Sequence, residues 1–207
     1  MPARQIQTTA FVLGRQPGGA DNFEQLALFS GEHGLLTALQ RISRKTATTA
    51  AADLFDEAEF SLESRNEGRT WFVREHRLLH RPTALGASYA ALRCASVIAQ
   101  LVRQNPIAEE TRPLLVDLLR NSLAALAAGH RPDLVWLKAL YCFARDEGLP
   151  VKQQWWQQLA GADRTAASEI LTKPLAGQSP SAATVARLVQ RLENWIAVET
   201  EIRLAPR

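Results

Sequence analysis

Apolar and polar residues alternate along the first 80 positions of this chain and recur at three-to-four spacing after them. QTTAFVLGR (7–15) reads as a strand and ends in the Pro/Gly loop QPGGADN. FEQLALFS (23–30) puts Phe23, Gln25, Ala27 and Phe29 on one side and Glu24, Leu26, Leu28 and Ser30 on the other, the two-residue period of a strand. GEHG then supplies a tight turn with two glycines, and LLTALQRIS follows. LFDEAEFSLES (54–64) fits a helix or a strand by period alone. Its successor RTWFVREHRLL (69–79), across the turn RNEG, is rich in aromatic and β-branched residues, so the two read best as a hairpin. Five short strands with a long link between the third and fourth suit a small closed barrel, the OB-fold being the commonest such object.

The period changes after Pro82. ALGASYAALRCASVIAQLVRQ spaces Leu85, Tyr89, Leu92, Ala95 and Ala99 as a helix does. NPIAEETRPLLVDLLRNSLAALAAG carries Glu109 and Glu110 near its start and Gly129 at its end, and PDLVWLKALYCFARDEGLP runs from Pro132 and Asp133 to Gly148 and Pro150. VKQQWWQQLAG is short and polar, and TKPLAGQSPSAAT reads as a loop. The last segment, 181–207, is an amphipathic helix with Val185, Leu188, Leu192, Trp195 and Ile196 on one face. The expectation is an α+β chain: an OB-fold barrel over residues 1–80 and an α-helical bundle domain over 81–207.

Composition adds limits. Of 207 residues 46% are apolar and 22% charged, the profile of a soluble globular protein. The net charge is only +3, and it is unevenly shared. Residues 1–80 hold 9 Lys/Arg against 10 Asp/Glu, and residues 81–207 hold 15 against 11. A polynucleotide site in the first part must therefore be a local patch. Cys94 and Cys142 lie far apart in apolar helical patterns, which suits buried thiols in a reduced compartment rather than a disulfide framework or a zinc site. No secretory leader pattern and no apolar run near the ~18 residues of a membrane helix is visible, so the expected location is the cytoplasm.

Catalytic patterns are not found. His33, His76, His80 and His130 make no HExxH-like spacing, and His76 and His80 fall on a strand end. GRQPGGADN lacks the spacing of either glycine-rich phosphate loop. Asp56, Glu57, Glu59 and Glu63 form an acidic run that suits a solvated strand face. The expectation is a protein that is not an enzyme and needs no metal or cofactor.

Binding is a better prospect. Small barrels hold single strands by setting cations along the phosphates and aromatics against the bases. Arg41, Arg44 and Lys45 stand where the third strand leaves the barrel, followed by the small-residue tract TATTAAA, and Arg15 ends the first strand. These four are the candidate DNA-binding residues. Composition alone favours a solvent-exposed loop with incidental charge.

AFVLGRQPGGADNFEQLALFSGEHGLLTALQRISRK resembles the opening of RecO, the bacterial recombination mediator family. GASYAALRCASVIAQLV, RPDLVWLKALYCFARDEGLPV and SPSAATVARLVQRLENWIAVETEIRL are similar, in order, to the helices that follow in that family. Three departures stand out. The family's KGAR is Arg41-Ile42-Ser43-Arg44 here, its Gly-Glu after the first strand is Gly19-Ala20-Asp21, and its four-cysteine zinc module is replaced by VKQQWWQQLAG. Trp155 and Trp156 are then expected to pack that insertion onto the bundle.

The resemblance implies a non-enzymatic protein that binds single- and double-stranded DNA and anneals complementary strands. With RecR it would help RecA displace the single-strand-binding protein SSB. It further implies that the acidic SSB tail docks on the helical domain, with Arg131, Leu134 and Lys138 as candidate contacts. Two other readings stay open: a RecO-like interaction scaffold with weak or lost DNA binding, and a metal-dependent enzyme on the Asp56–Glu63 run.

Overall fold

The protein is described by a computed structural model over residues 3–19, 22–42 and 51–205. Its chain divides into two compact units, Met1–Pro82 and Thr83–Arg207. The first is a closed five-stranded barrel and the second a domain of five α-helices, the α+β class that the two hydrophobic periods predict.

The barrel strands are β1 (Arg4–Pro17), β2 (Phe23–Ser30), β3 (Gly34–Arg41), β4 (Glu57–Ser64) and β5 (Trp71–His80). They close in the order β1-β2-β3-β5-β4, the five-stranded Greek-key ring of an OB-fold. The 14-residue β1 makes closure possible. Its first part pairs with β4 from Arg4 to Phe11, and its second part pairs with β2 from Ala10 to Pro17. A register shift between Val12 and Gly14 marks the bend between them. The parallel β3–β5 contact completes the ring through two pairs, Ala38 with Trp71 and Leu39 with Phe72.

Inward rows of each strand fill the barrel: Ala10 and Val12, Leu26 and Leu28, Ala38, Ala58, Phe60 and Leu62, and Trp71. Burying a side chain of Leu or Phe size contributes roughly 1.5–3 kcal/mol each. One polar pair sits among them, the Thr8 and Ser30 hydroxyls at 2.6 Å. Ser30 Oγ also accepts from the backbone N–H groups of Glu32 and His33, which folds the β2–β3 turn. Gly34 closes that turn at φ +68°, a conformation that side chains with a Cβ resist.

The run 54–64 is a strand only from Glu57. Leu54 to Asp56 instead make a hook onto β1: Phe55 N–H donates to Val12 O and Val12 N–H to Asp56 O, with Phe55 itself at φ +67°.

In the second unit the helices are α1 (Tyr89–Gln104), α2 (Arg112–Ala127), α3 (Pro132–Asp146), α4 (Gly161–Thr172) and α5 (Ala182–Glu199). Ser88 caps α1 by accepting from Ala91 N–H, and Ser181 caps α5 by accepting from Thr184 N–H. Glu109 and Glu110 form a separate short 3-10 turn ahead of α2 rather than its first turn. The central helix is α3, which contacts α1, α2, α4 and α5 and buries Leu134 through Leu137, Ala139, Leu140, Phe143 and Ala144.

Two differences from the sequence pattern have physical causes. The hydrophobic pattern gives no sign of α4, whose buried positions are Asp163, Ala167 and Ile170. An ion pair anchors it: Arg187 of α5 makes bonds of 2.7 and 3.0 Å to Asp163. The final helix stops at Glu199 rather than running on to the end of the chain. Beyond it the backbone of Arg203 exchanges two hydrogen bonds with the side chain of Asn105. The segment between α3 and α4 is held by Trp155, 1% exposed and 6.0 Å from Tyr141, while Trp156 stays partly exposed.

Candidate nucleic-acid interface

β2 pairs with β3 in unbroken register from Phe23 to Ser30, so faces can be assigned by parity. Leu26 and Leu28 point inward, as do Ala38 and Gln40. The opposite face of the same two strands carries Phe23, Gln25, Leu35, Thr37, Leu39 and Arg41. Phe23 stands directly across from Arg41, and Gln25 from Leu39. β5 extends the row, because Leu39 pairs with Phe72. The Phe23 and Phe72 rings meet edge to face, with centroids 6.1 Å apart and planes at 79°. Leu35 is 48% exposed on the same face.

Next to Phe72 stands its cross-strand partner Glu63. Arg74 approaches this carboxylate to 2.6 Å and Arg65 to 3.4 Å, and the Arg74 hydrogen bond first of all holds Glu63 below its ordinary range. The trio therefore carries a net positive charge. Arg41 is exposed and has no ion-pair partner among the described residues.

Arg15 has a different setting. It pairs with Leu26, three residues from the Phe23 that faces Arg41, so Arg15 and Arg41 lie on opposite faces of the sheet. Strand alternation thus sends one of these two candidates to the inward-facing rim and the other outward. At the rim Arg15 binds Glu24 at 2.9 Å and also Asp53. Partial burial opposes its charge, and the bonds to Glu24 and Asp53 outweigh that effect. Asp53 feels the same competition. Burial raises its carboxyl, while the Leu54 N–H and Arg15 bring it below the ordinary aspartate range. Beside it, Arg81 forms bonds of 2.8 and 2.5 Å to the fully buried Asp56, which also accepts from Asp53 N–H at 2.7 Å. Arg44 and Lys45 lie outside the described residues.

Carboxylates dominate a second part of the barrel, along β1, β4 and β5. An open cavity of about 520 Å³ is lined by Glu32, Glu59, Glu75, His76 and Arg77 among others. Arg77 is already held by Glu59 through bonds of 3.0 and 2.6 Å. Asp56, Glu59 and Glu63 of the acidic run are thus each matched to an arginine. Among the described residues no group of three or more His, Cys, Asp and Glu side chains is placed to hold a metal ion.

In the helical unit the candidates Arg131, Leu134 and Lys138 do not form one surface. Arg131 binds Asp133 at 2.6 Å and Pro180 O at 2.5 Å. Leu134 is 2% exposed, which corrects its assignment as a surface contact: α3 is covered by neighbouring helices on most sides, and this position packs in the core. Lys138 donates to Lys173 O and lines a groove of about 300 Å³ between α2 and α3, where burial lowers its amine. Leu114, Leu118, Val135, Cys142 and Arg145 share that groove. Arg145 and Leu114 were not singled out by sequence, where the i, i+7 relation of Lys138 to Arg145 along α3 is the available signal.

No helix among the described residues is long and apolar enough to cross a membrane. Neither a scan against protein-family models nor a search of the curated proteins finds a match to this chain.

Proposed function

We propose that this chain is a non-catalytic DNA-binding protein of the RecO kind, acting in the cytoplasm without cofactor. It binds single- and double-stranded DNA, promotes annealing and, with a RecR-like partner, assists RecA loading onto SSB-coated strands. One observation carries the reading: a barrel of OB topology whose outward β2–β3 face ends in Arg41, three and four residues before Arg44 and Lys45. In OB barrels this is the face that takes oligonucleotides. Annealing requires screening of phosphate repulsion and no bond chemistry, which suits a surface of cations. The docking of an acidic tail such as that of SSB draws less support, because the α2–α3 groove sets Asp117 and Asp146 beside Lys138 and Arg145, and Arg145 already binds Asp146 at 2.7 Å.

The test is a salt titration of labelled single-stranded DNA. Three cations on phosphate predict a slope of log K against log[salt] of about −2, at roughly −0.7 per contact. Replacing Arg41, Arg44 and Lys45 together by alanine should reduce its magnitude by about 2. A wild-type slope near zero, or no binding, overturns the proposal.

A second reading, a RecO-like interaction scaffold with weak or lost DNA binding, draws on a different observation. Arg15, Arg65, Arg74, Arg77 and Arg81 of the barrel unit are each paired with a carboxylate. The same titration separates the two.

A further inference from the structure

We infer that the outer face of β2, β3 and β5 takes the bases of an unpaired polynucleotide strand, with Phe23 and Phe72 as the stacking residues. The inference rests on the DNA-binding reading above and adds a site to it, because the cations alone do not distinguish single strands from duplex.

Phe23 and Phe72 lie on the outside of a barrel whose interior is already filled by Phe60, Trp71 and the inward aliphatic rows. Leu39 pairs with Phe72, and Leu35, four positions before it on the same face, is about half exposed. This strip is half open: Phe23, Leu39 and Phe72 are partly buried, and the two rings pack edge to face while keeping part of their surface in water. Its charge setting selects the occupant. Arg41 stands across from Phe23, and the Arg65–Glu63–Arg74 trio beside Phe72 is net positive. A phosphate backbone thus finds cations at both ends of the aromatic pair. The cavity along β1, β4 and β5 offers Glu32, Glu59 and Glu75 against Arg77, which disfavours a phosphate backbone there. Alternating aromatics and cations suit single strands, since every unpaired base has a π face and a duplex hides its own.

The experiment uses the full chain and three fluorescein-labelled probes of equal length, about 16 nucleotides: oligo-dT, an abasic sugar-phosphate strand and a duplex. Wild type should prefer oligo-dT to the abasic strand by about 5- to 150-fold per stacked base. Phe23→Leu and Phe72→Leu, which keep apolar bulk without the ring, should erase that preference and leave duplex affinity within about twofold. Phe72→Tyr should retain it. Equal wild-type binding to oligo-dT and the abasic strand overturns the stacking site while leaving DNA binding in place, and needs no variant. Wild type that binds none of the probes overturns the DNA-binding reading itself. A loss shared equally by oligo-dT and duplex in the leucine variants, with a lowered melting temperature, shows that the rings serve the barrel and also overturns the site.

Discussion

Arg15 and Arg41 stand near the same end of the barrel, yet they face different surroundings. Arg15, on the inward rim, meets Glu24 and Asp53 and is one member of a charge chain that continues through Arg81 to the buried Asp56. Arg41, on the outer face, meets Phe23 across the ladder and has no carboxylate partner among the described residues. The first arrangement ties Asp53 to β1 and Asp56 to Arg81. The second leaves a charge available to a ligand. The number of cations in a segment therefore overstates what a phosphate can reach, and the neighbours of each cation decide its use.

Breaking the rim should affect folding and not binding. Asp56→Ala removes the partner of Arg81 and the acceptor of Asp53 N–H. Unfolding in urea should show a loss of about 3 kcal/mol, the low end for a broken buried pair because Arg81 retains access to water. Oligo-dT affinity of the folded fraction should stay within about twofold.

Arg41 and the two cations that follow it in sequence should behave in the opposite way. The combined Arg41, Arg44 and Lys45 alanine variant should keep the wild-type melting temperature. Its DNA binding should lose the salt dependence that costs wild type about twentyfold in affinity between 50 and 200 mM salt, from about 2 units of slope. A variant that binds with undiminished slope would mean that other cations meet the phosphates.

Arg15→Ala sharpens the contrast. Its ion pairs are partly exposed, so the loss of stability should be about 0–1 kcal/mol by thermal melting. The change in oligo-dT affinity should be under about twofold, since the removed charge is already matched by Glu24 and Asp53. A large drop in affinity would return Arg15 to the interface.

The smallest effect concerns pH. Asp53 titrates lower in the folded chain than its ordinary value of 3.8, so it binds fewer protons folded than unfolded there. Its contribution to stability is complete above that value and disappears as the pH falls through the lowered one. Acid unfolding of Asp53→Asn should therefore begin from a slightly less stable protein at neutral pH. The difference from wild type should close below pH 3.8.

Periodicity made most of the elements legible. Five strands and the helices α1, α2, α3 and α5 follow from spacing, caps and glycines, because these are local properties of the chain. α4 was not legible, since Asp163 occupies a position that a hydrophobic pattern reads as surface and its partner Arg187 is 24 residues away. The hook at Leu54–Asp56 was hidden for a similar reason: Phe55 N–H finds its acceptor on Val12 of another strand. Of the candidate site, Arg41 lies where the strand pattern suggested, at an exposed strand end. Arg15 and Leu134 do not behave as candidates, because one is neutralised by residues 9 and 38 positions away and the other is covered by helices packed around it.

By itself the sequence determined the class of fold and the alternation of two faces along each barrel strand, since both depend on residues a few positions apart. It separated Phe23 and Gln25 from Leu26 and Leu28 without saying which set faces water. Only tertiary structure decided that, through the closure of β3 on β5, which places Phe72 beside Leu39 and sends Leu26 and Leu28 inside. It likewise decided which arginines are matched by carboxylates. Pairing across a ring joins residues with no fixed separation along the chain, so no local pattern records it.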